Sequence, residues 1–308
     1  MDFSVPPTRE LAPALTLHLQ KLGRKALANA VLKKDFHERP HRDGYRYTDG
    51  FGKDRSFIIF GELAGPEAGT QISAVGNFLT EHPNGGWITD SMKVRDRLAL
   101  RIPKDGPALL EYLGRMQIAT LNTVRLGDLA RDEYDVRDID VREWIGSDGV
   151  VQDDQPEDII HVHTQIKFRN PRDIYQGTNT QRITRGSLSS VWKPDADAET
   201  WVGKPYAIDT LTDDNTNMFS LDEAKLIQQD IRDCEGDLIA PWKTPYFLPI
   251  GSLLLLQVRL YCQVTDYGHS IKKVYRIIAD RIKVLSGVPI GPIYRYQRSL
   301  DDDALVSE

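Results

Sequence analysis

Cysteine is nearly absent from this chain. Two residues in 308, Cys234 and Cys262, exclude the disulfide framework that holds small secreted domains together and fit a reducing compartment. No run approaches the ~18 apolar residues that cross a membrane as a helix. The N-terminus, Met-Asp-Phe-Ser-Val-Pro-Pro, lacks the basic and apolar regions of a secretory signal. No Asn-x-Ser/Thr site occurs. These absences lead us to expect a protein without a membrane span, intracellular or assembled inside a cell.

An excess of positive charge is missing too. Lys and Arg number 39 against 45 Asp and Glu, a net charge of −6. That balance argues against a globally basic nucleic-acid binder and leaves room for a local basic surface. Signatures of catalysis are also lacking: there is no Gly-x-Ser-x-Gly, Walker A, Gly-x-Gly-x-x-Gly or Cys-x-x-Cys element,. No enzyme class and no catalytic residue is assigned on this basis.

What is present is architecture. In residues 253–265, one alternate set is Leu254, Leu256, Val258, Leu260, Cys262 and Val264, wholly apolar. The other set, Leu253, Leu255, Gln257, Arg259, Tyr261, Gln263 and Thr265, turns polar after two members. Successive side chains of a strand face opposite ways, so this is a long strand with one buried face and Cys262 in the core. Residues 270–286 fit either a second strand or a helix. Ile271, Val274, Tyr275, Ile278, Ile282 and Leu285 make a helical stripe,. Val274, Ile278, Ile282 and Val284 fit an alternation broken by charged positions, and we take the strand.

Further strands are expected at Phe57–Phe60, Gln71–Leu79, Arg97–Ile102 and Ile159–Phe168. A helical stripe of Leu15, Leu19, Leu22 and Ala26 marks residues 8–34,, and Ala108–Thr120 reads as another helix. Ser220 with Glu223 forms a capping box that opens a helix over 221–235, ended by Gly236,. Residues 128–158 carry twelve acidic side chains and read as a solvated insertion. The chain therefore divides into an N-terminal helix with a basic, aromatic arm (1–55) and a β-sandwich domain (56–308). The fold class is mainly β with helical insertions, an antiparallel jelly-roll-like sandwich, with α+β as the alternative.

Two constellations bear on function. Lys21, Arg24, Lys25, Lys33 and Lys34 are followed by a glycine-containing stretch, read as a loop, with Arg42, Arg46, Tyr45, Tyr47 and Phe51. Cations neutralise phosphates and aromatic rings stack on unpaired bases, so nucleic acid is the expected partner of Lys21, Arg24, Lys25, Lys33, Lys34, Arg42, Tyr45 and Arg46. His161 and His163 share a strand face and can reach one divalent metal ion. The positions that would supply a carboxylate in a cupin-like pattern hold Lys167 and Phe168, so no cofactor is the first expectation and a metal the second.

The helical arm, the short strands with long loops and the closing pair 254–262 with 271–284 are similar in pattern to single jelly-roll coat proteins of small viruses. That resemblance, carried by about 35 residues, implies a self-assembling structural subunit of a virion, a homo-oligomer whose arm faces the genome. It departs from such coats in its mildly basic arm and acidic chain. Two other readings stand beside it: a metal-dependent β-sandwich or barrel enzyme using His161 and His163, and a non-catalytic binding module.

Overall fold

The structure, a computed structural model, describes residues 7–82, 85–103, 106–130, 139–142, 145–147, 158–176, 200–211, 218–267 and 271–286. From the N-terminus run α1 (Pro7–Lys21), α2 (Leu32–Asp35), β1 (His37–His41), β2 (Gly44–Thr48) and β3 (Phe57–Leu63). Next come α3 (Phe78–Glu81), β4 (Ile88–Thr89), β5 (Arg97–Arg101), α4 (Ala108–Leu129), β6 (Ile139–Arg142), β7 (Ile145–Ser147) and β8 (Asp158–His163). Then follow β9 (Phe168–Arg169), α5 (Pro171–Gln176), β10 (Pro205–Tyr206), β11 (Phe219–Ser220), β12 (Lys225–Ile227), β13 (Ile231–Arg232) and α6 (Thr244–Phe247). The two longest strands are β14 (Leu253–Asp266) and β15 (Ile271–Ser286). The molecule is mainly β with helical insertions, as expected, and its large sheet is mixed.

That sheet closes on itself. β14 pairs with β3, β3 with β5, β5 with β8, β8 with β15, and β15 returns to β14. Within this ring of five, only the β8–β15 join is parallel. Counted along the chain, the strands follow the order 1-2-3-5-4-1. The apolar set of β14 fills the inside, where Leu254, Leu256, Val258, Leu260 and Cys262 meet Phe57, Ile59, Leu98, Leu100, Ile160, Val162 and Ile277. Ile118, Leu121 and Val124 of α4 belong to the same core. Gly61 sits where β5 passes close, since a Cβ there would lie 2.9 Å from that of Leu100.

β15 settles the strand-or-helix question, and its ambiguity has a cause. Opposite β14, Gln257 pairs with Arg281 and Val258 with Ala279, so Asp280 is an extra residue, a β-bulge,. The inward positions are therefore 271, 273, 275, 277 and 279, then 282 and 284. The change of phase breaks the simple alternation and mimics a helical spacing.

Outside the ring, α1 covers part of the wall. Ala12, Leu15 and Leu19 pack on Ile58, Phe60, Leu253, Leu255 and Leu285 with Leu110 and Leu113. The helix stops at Lys21, and tight turns with Gly23 at φ +54° follow, so the stripe read to residue 34 spans more than one element.

Several expectations are corrected. The stretch 37–55, read as a loop, contains the hairpin β1–β2. Its glycines are turn residues: Gly44 has φ +146°, and a Cβ there would strike the Cys262 carbonyl oxygen. The helix over 221–235 is not formed. The Asp90 carboxylate accepts the backbone N–H groups of Asp222, Glu223 and Ala224 at 2.8–3.2 Å, and the chain runs on as β12 and β13. Gln71–Leu79 makes only a bridge from Gln71 to Arg97 before turning into α3. In the acidic stretch 128–158, Asp128 is buried at the end of α4, β6 and β7 pair with β15 and β8, and the remainder lies largely outside the described residues.

Candidate nucleic-acid interface

The register of the strands brings distant residues into rows on the outer wall. Arg39 of β1 lies opposite Arg46 of β2, Arg46 opposite Tyr261 of β14, and Tyr261 opposite Arg276 of β15. One step along, Arg259 lies opposite Ile278, Ile278 beside His163 of β8, and His163 opposite Arg97 of β5. The inside is apolar, so the alternation puts all of these on the other face. Six neighbouring strands thus carry one belt, about 24 Å long at the ~4.8 Å spacing of paired strands.

The belt is basic, aromatic and accessible. Arg39 is exposed, and Arg46, Arg97, Arg259, Tyr261 and Arg276 are half-buried. The Arg259 guanidinium lies 5.8 Å from the Tyr261 ring centre, and His41 meets the same ring edge-on at 6.2 Å. Asp280, delivered to this face by the bulge, accepts two hydrogen bonds from Arg259 at 2.5 and 2.6 Å. Asp54 pairs with Arg46 at 2.6 Å and Asp230 with Arg281 at 2.9 Å. These carboxylates fix the guanidinium planes and offset part of their charge.

The two histidines join the belt. Their shared face agrees with their spacing in sequence, but their neighbours are cations. Burial, then Arg97, holds His161 down at about 4. Burial, then Arg276, Arg95, Arg97 and His161, holds His163 at about 3. Both rings are neutral at neutral pH, and among the described residues neither Nδ1 has a hydrogen-bond partner. Among the described residues, no group of three His, Cys, Asp or Glu side chains is placed to hold a metal ion.

The arm residues scatter. Lys21, Lys25, Lys33 and Lys34 are exposed on α1, the turns after it and α2. Arg24 is committed to the buried Asp35 carboxylate, through contacts of 2.5 and 2.9 Å that it shares with Arg55 at 3.0 Å. Burial alone would raise the Asp35 pKa, but its bonds to Arg24 and the Val31 N–H outweigh that and lower it. Arg42 is exposed at the hairpin tip and Arg46 lies in the belt. Tyr45 points inward: its hydroxyl, with that of Tyr275, donates to Asp128, 3.4 Å from Lys273 Nζ.

Burial pushes the Cys262 thiol up to about 12, and both cysteines are free. Sequence reasoning missed Arg259, Tyr261, Arg276 and Arg97 as site residues. For Arg259 and Tyr261 the signal was the polar alternate set of residues 257–265; Arg276 and Arg97 join them only through strand register.

A closed five-stranded barrel with a basic outer belt is the class of structure that these strands define. No family model matches the chain, and no curated protein matches it. Among solved structures, it is similar to the single-stranded DNA-binding protein from bacteriophage Enc34, at 10% identity and TM-score 0.33, covering 84% of this chain and 93% of that one. It is also similar to gp2.5, a single-stranded DNA-binding protein encoded by bacteriophage T7, at 10% identity and TM-score 0.33, covering 83% and 96%. The Enc34 protein in complex with single-stranded DNA gives 11% identity and TM-score 0.30, covering 84% and 99%. At TM-scores of this size the likeness assigns no role to any residue.

The coat-type, self-assembling reading is corrected at this point, and with it the expectation of a virion subunit. These similar structures are DNA-binding proteins, not coat proteins. The long hairpin completes a ring with β15 parallel to β8, where the coat resemblance implied a hairpin closing antiparallel strands. No helix among the described residues is long and apolar enough to cross a membrane.

Proposed function

We propose that this chain is a non-catalytic module that binds single-stranded nucleic acid along the outer belt of its barrel. The observation that carries the reading is the unbroken cross-strand row Arg39–Arg46–Tyr261–Arg276. Guanidinium groups spaced by paired strands follow a phosphodiester backbone, and a ring between them offers a π-face to an unpaired base. A belt of about 24 Å accommodates roughly four nucleotides or more, the lower range for one such barrel. The 1-2-3-5-4-1 ring is the order of the OB-fold barrel, which takes oligonucleotides or oligosaccharides. Arginines favour the polyanion. A net charge of −6 with a local basic belt confines attraction to the belt.

The test is a fluorescence-anisotropy titration with a labelled oligothymidine of about 20 nucleotides, against a duplex of equal length, between about 50 and 200 mM salt. Tighter binding of the single strand is expected, with log K falling linearly in log salt. No binding at the low-salt end by a folded protein would sink the reading.

A further inference from the structure

The loop between β2 and β3 leaves a phenylalanine in water. Phe51 is 98% exposed, although burying such a ring is worth about 1.5–3 kcal/mol. Its loop is tightly organised around one carboxylate. Asp49 Oδ1 accepts the N–H groups of Phe51 and Lys53 at 2.9 and 3.0 Å. The Asp49 N–H donates to the Lys53 carbonyl and the Gly52 N–H to the Asp49 carbonyl, both at 2.9 Å. Gly52 takes φ +77°, in the left-handed region that favours glycine,. A loop fixed by four hydrogen bonds within five residues cannot fold its tip back onto the barrel without breaking them.

The loop is also joined to the belt. Arg39, first member of the cross-strand row, donates from Nη1 to the Gly52 carbonyl at 2.8 Å. Lys53, exposed two residues further along the same turn, adds a cation. An apolar face carried on a rigid turn, flanked by Lys53 and Arg39, suits an unpaired nucleobase whose phosphates reach those cations.

We infer that Phe51 is a base-stacking prong that engages a nucleobase at the β1 end of the belt. The inference rests on the nucleic-acid reading above and adds to it a stated contact and a fixed end for the strand's path. Stacking discriminates little among bases, because every base has a π-face. The prong therefore contributes affinity for unpaired bases rather than sequence choice.

The experiment uses the full chain and the oligothymidine probe. Phe51→Ala is expected to bind about 5- to 100-fold more weakly, with an unchanged salt slope, because the ring carries no charge. Phe51→Trp is expected to keep affinity, and its indole fluorescence to be quenched at saturation. Asp49→Ala, which removes the turn but not the ring, is expected to weaken binding in the same way.

Equal affinity of Phe51→Ala and the parent, or unchanged indole emission at saturation, overturns the prong and leaves the belt standing. A parent that does not bind the probe overturns both. If the parent self-associates in sedimentation and Phe51→Ala abolishes this while leaving probe binding intact, the ring serves a second copy and the prong is refuted.

Discussion

The outer side of β14 changes character along its own length. Leu253 and Leu255 are wholly buried beneath α1, packed with Leu15 and Leu19. A few residues further on, the same side carries Gln257, Arg259, Tyr261 and Gln263, all half-buried and polar or aromatic. The inner side does not change: Leu254 to Cys262 stay in the core throughout. What differs is the cover. Where a helix lies on the wall the strand is apolar on both faces; where none does, the wall becomes a surface able to recognise something.

Three experiments break or sharpen that contrast. The largest effect is expected inside the barrel. Leu256→Ala should cost about 2–5 kcal/mol in urea unfolding, because the closed ring cannot collapse onto the cavity. Oligothymidine affinity per folded molecule should be unchanged, and a selective loss of affinity would deny that the two faces are independent.

Outside, the pattern should invert. Arg276→Ala is expected to change stability by no more than about 0.5 kcal/mol, to weaken probe binding roughly tenfold and to lower the salt slope by about one. A variant that binds like the parent with the parental slope would remove Arg276 from the contact.

The smallest effect concerns the two histidines. Each has a folded pKa below its ordinary value of about 6.5, His163 at about 3 and His161 at about 4. Between those limits the unfolded chain binds more protons, so their contribution to stability is present above about pH 6.5 and fades as pH falls. His163→Gln should flatten the fall in urea midpoint between about pH 7.5 and 4.5. Parallel curves for parent and variant would show that the ring is not held neutral by its surroundings.

Much of the barrel was legible, and the reasons are local. β14 could be read because its alternation is unbroken and its apolar set is uninterrupted. β15 was half legible, since Asp280 shifts its phase midway. The false helix over 221–235 had a genuine capping pattern in Ser220 and Glu223, but Asp90, far away in sequence, takes the N–H groups that such a cap would serve.

The belt was legible only in pieces. Arg46 and the polar set around Arg259 were visible singly, but their place beside Arg276, His163 and Arg97 is a matter of register between strands more than a hundred positions apart in places. Tyr45 was grouped with Arg46 as a nucleic-acid contact because the stretch was read as a loop, and a loop has no alternation to send the tyrosine inward, to Asp128, and the arginine beside it out.

The bulge at Asp280 also separates what the barrel interior needs from what its outer face carries. Before it, odd-numbered residues face the barrel interior; after it, even-numbered ones do. Losing this one residue would leave Ala279 inward, Arg281 outward and Ile282 inward, a plain alternation,. Ile282 and Val284 would stay against the leucines of β14, while Arg259 would lose its carboxylate partner. A single-codon deletion of the bulged residue would thus leave the core in phase, and its effect would fall on the outer face. The extra residue belongs to the outer surface, which gains a carboxylate that the inner alternation does not require.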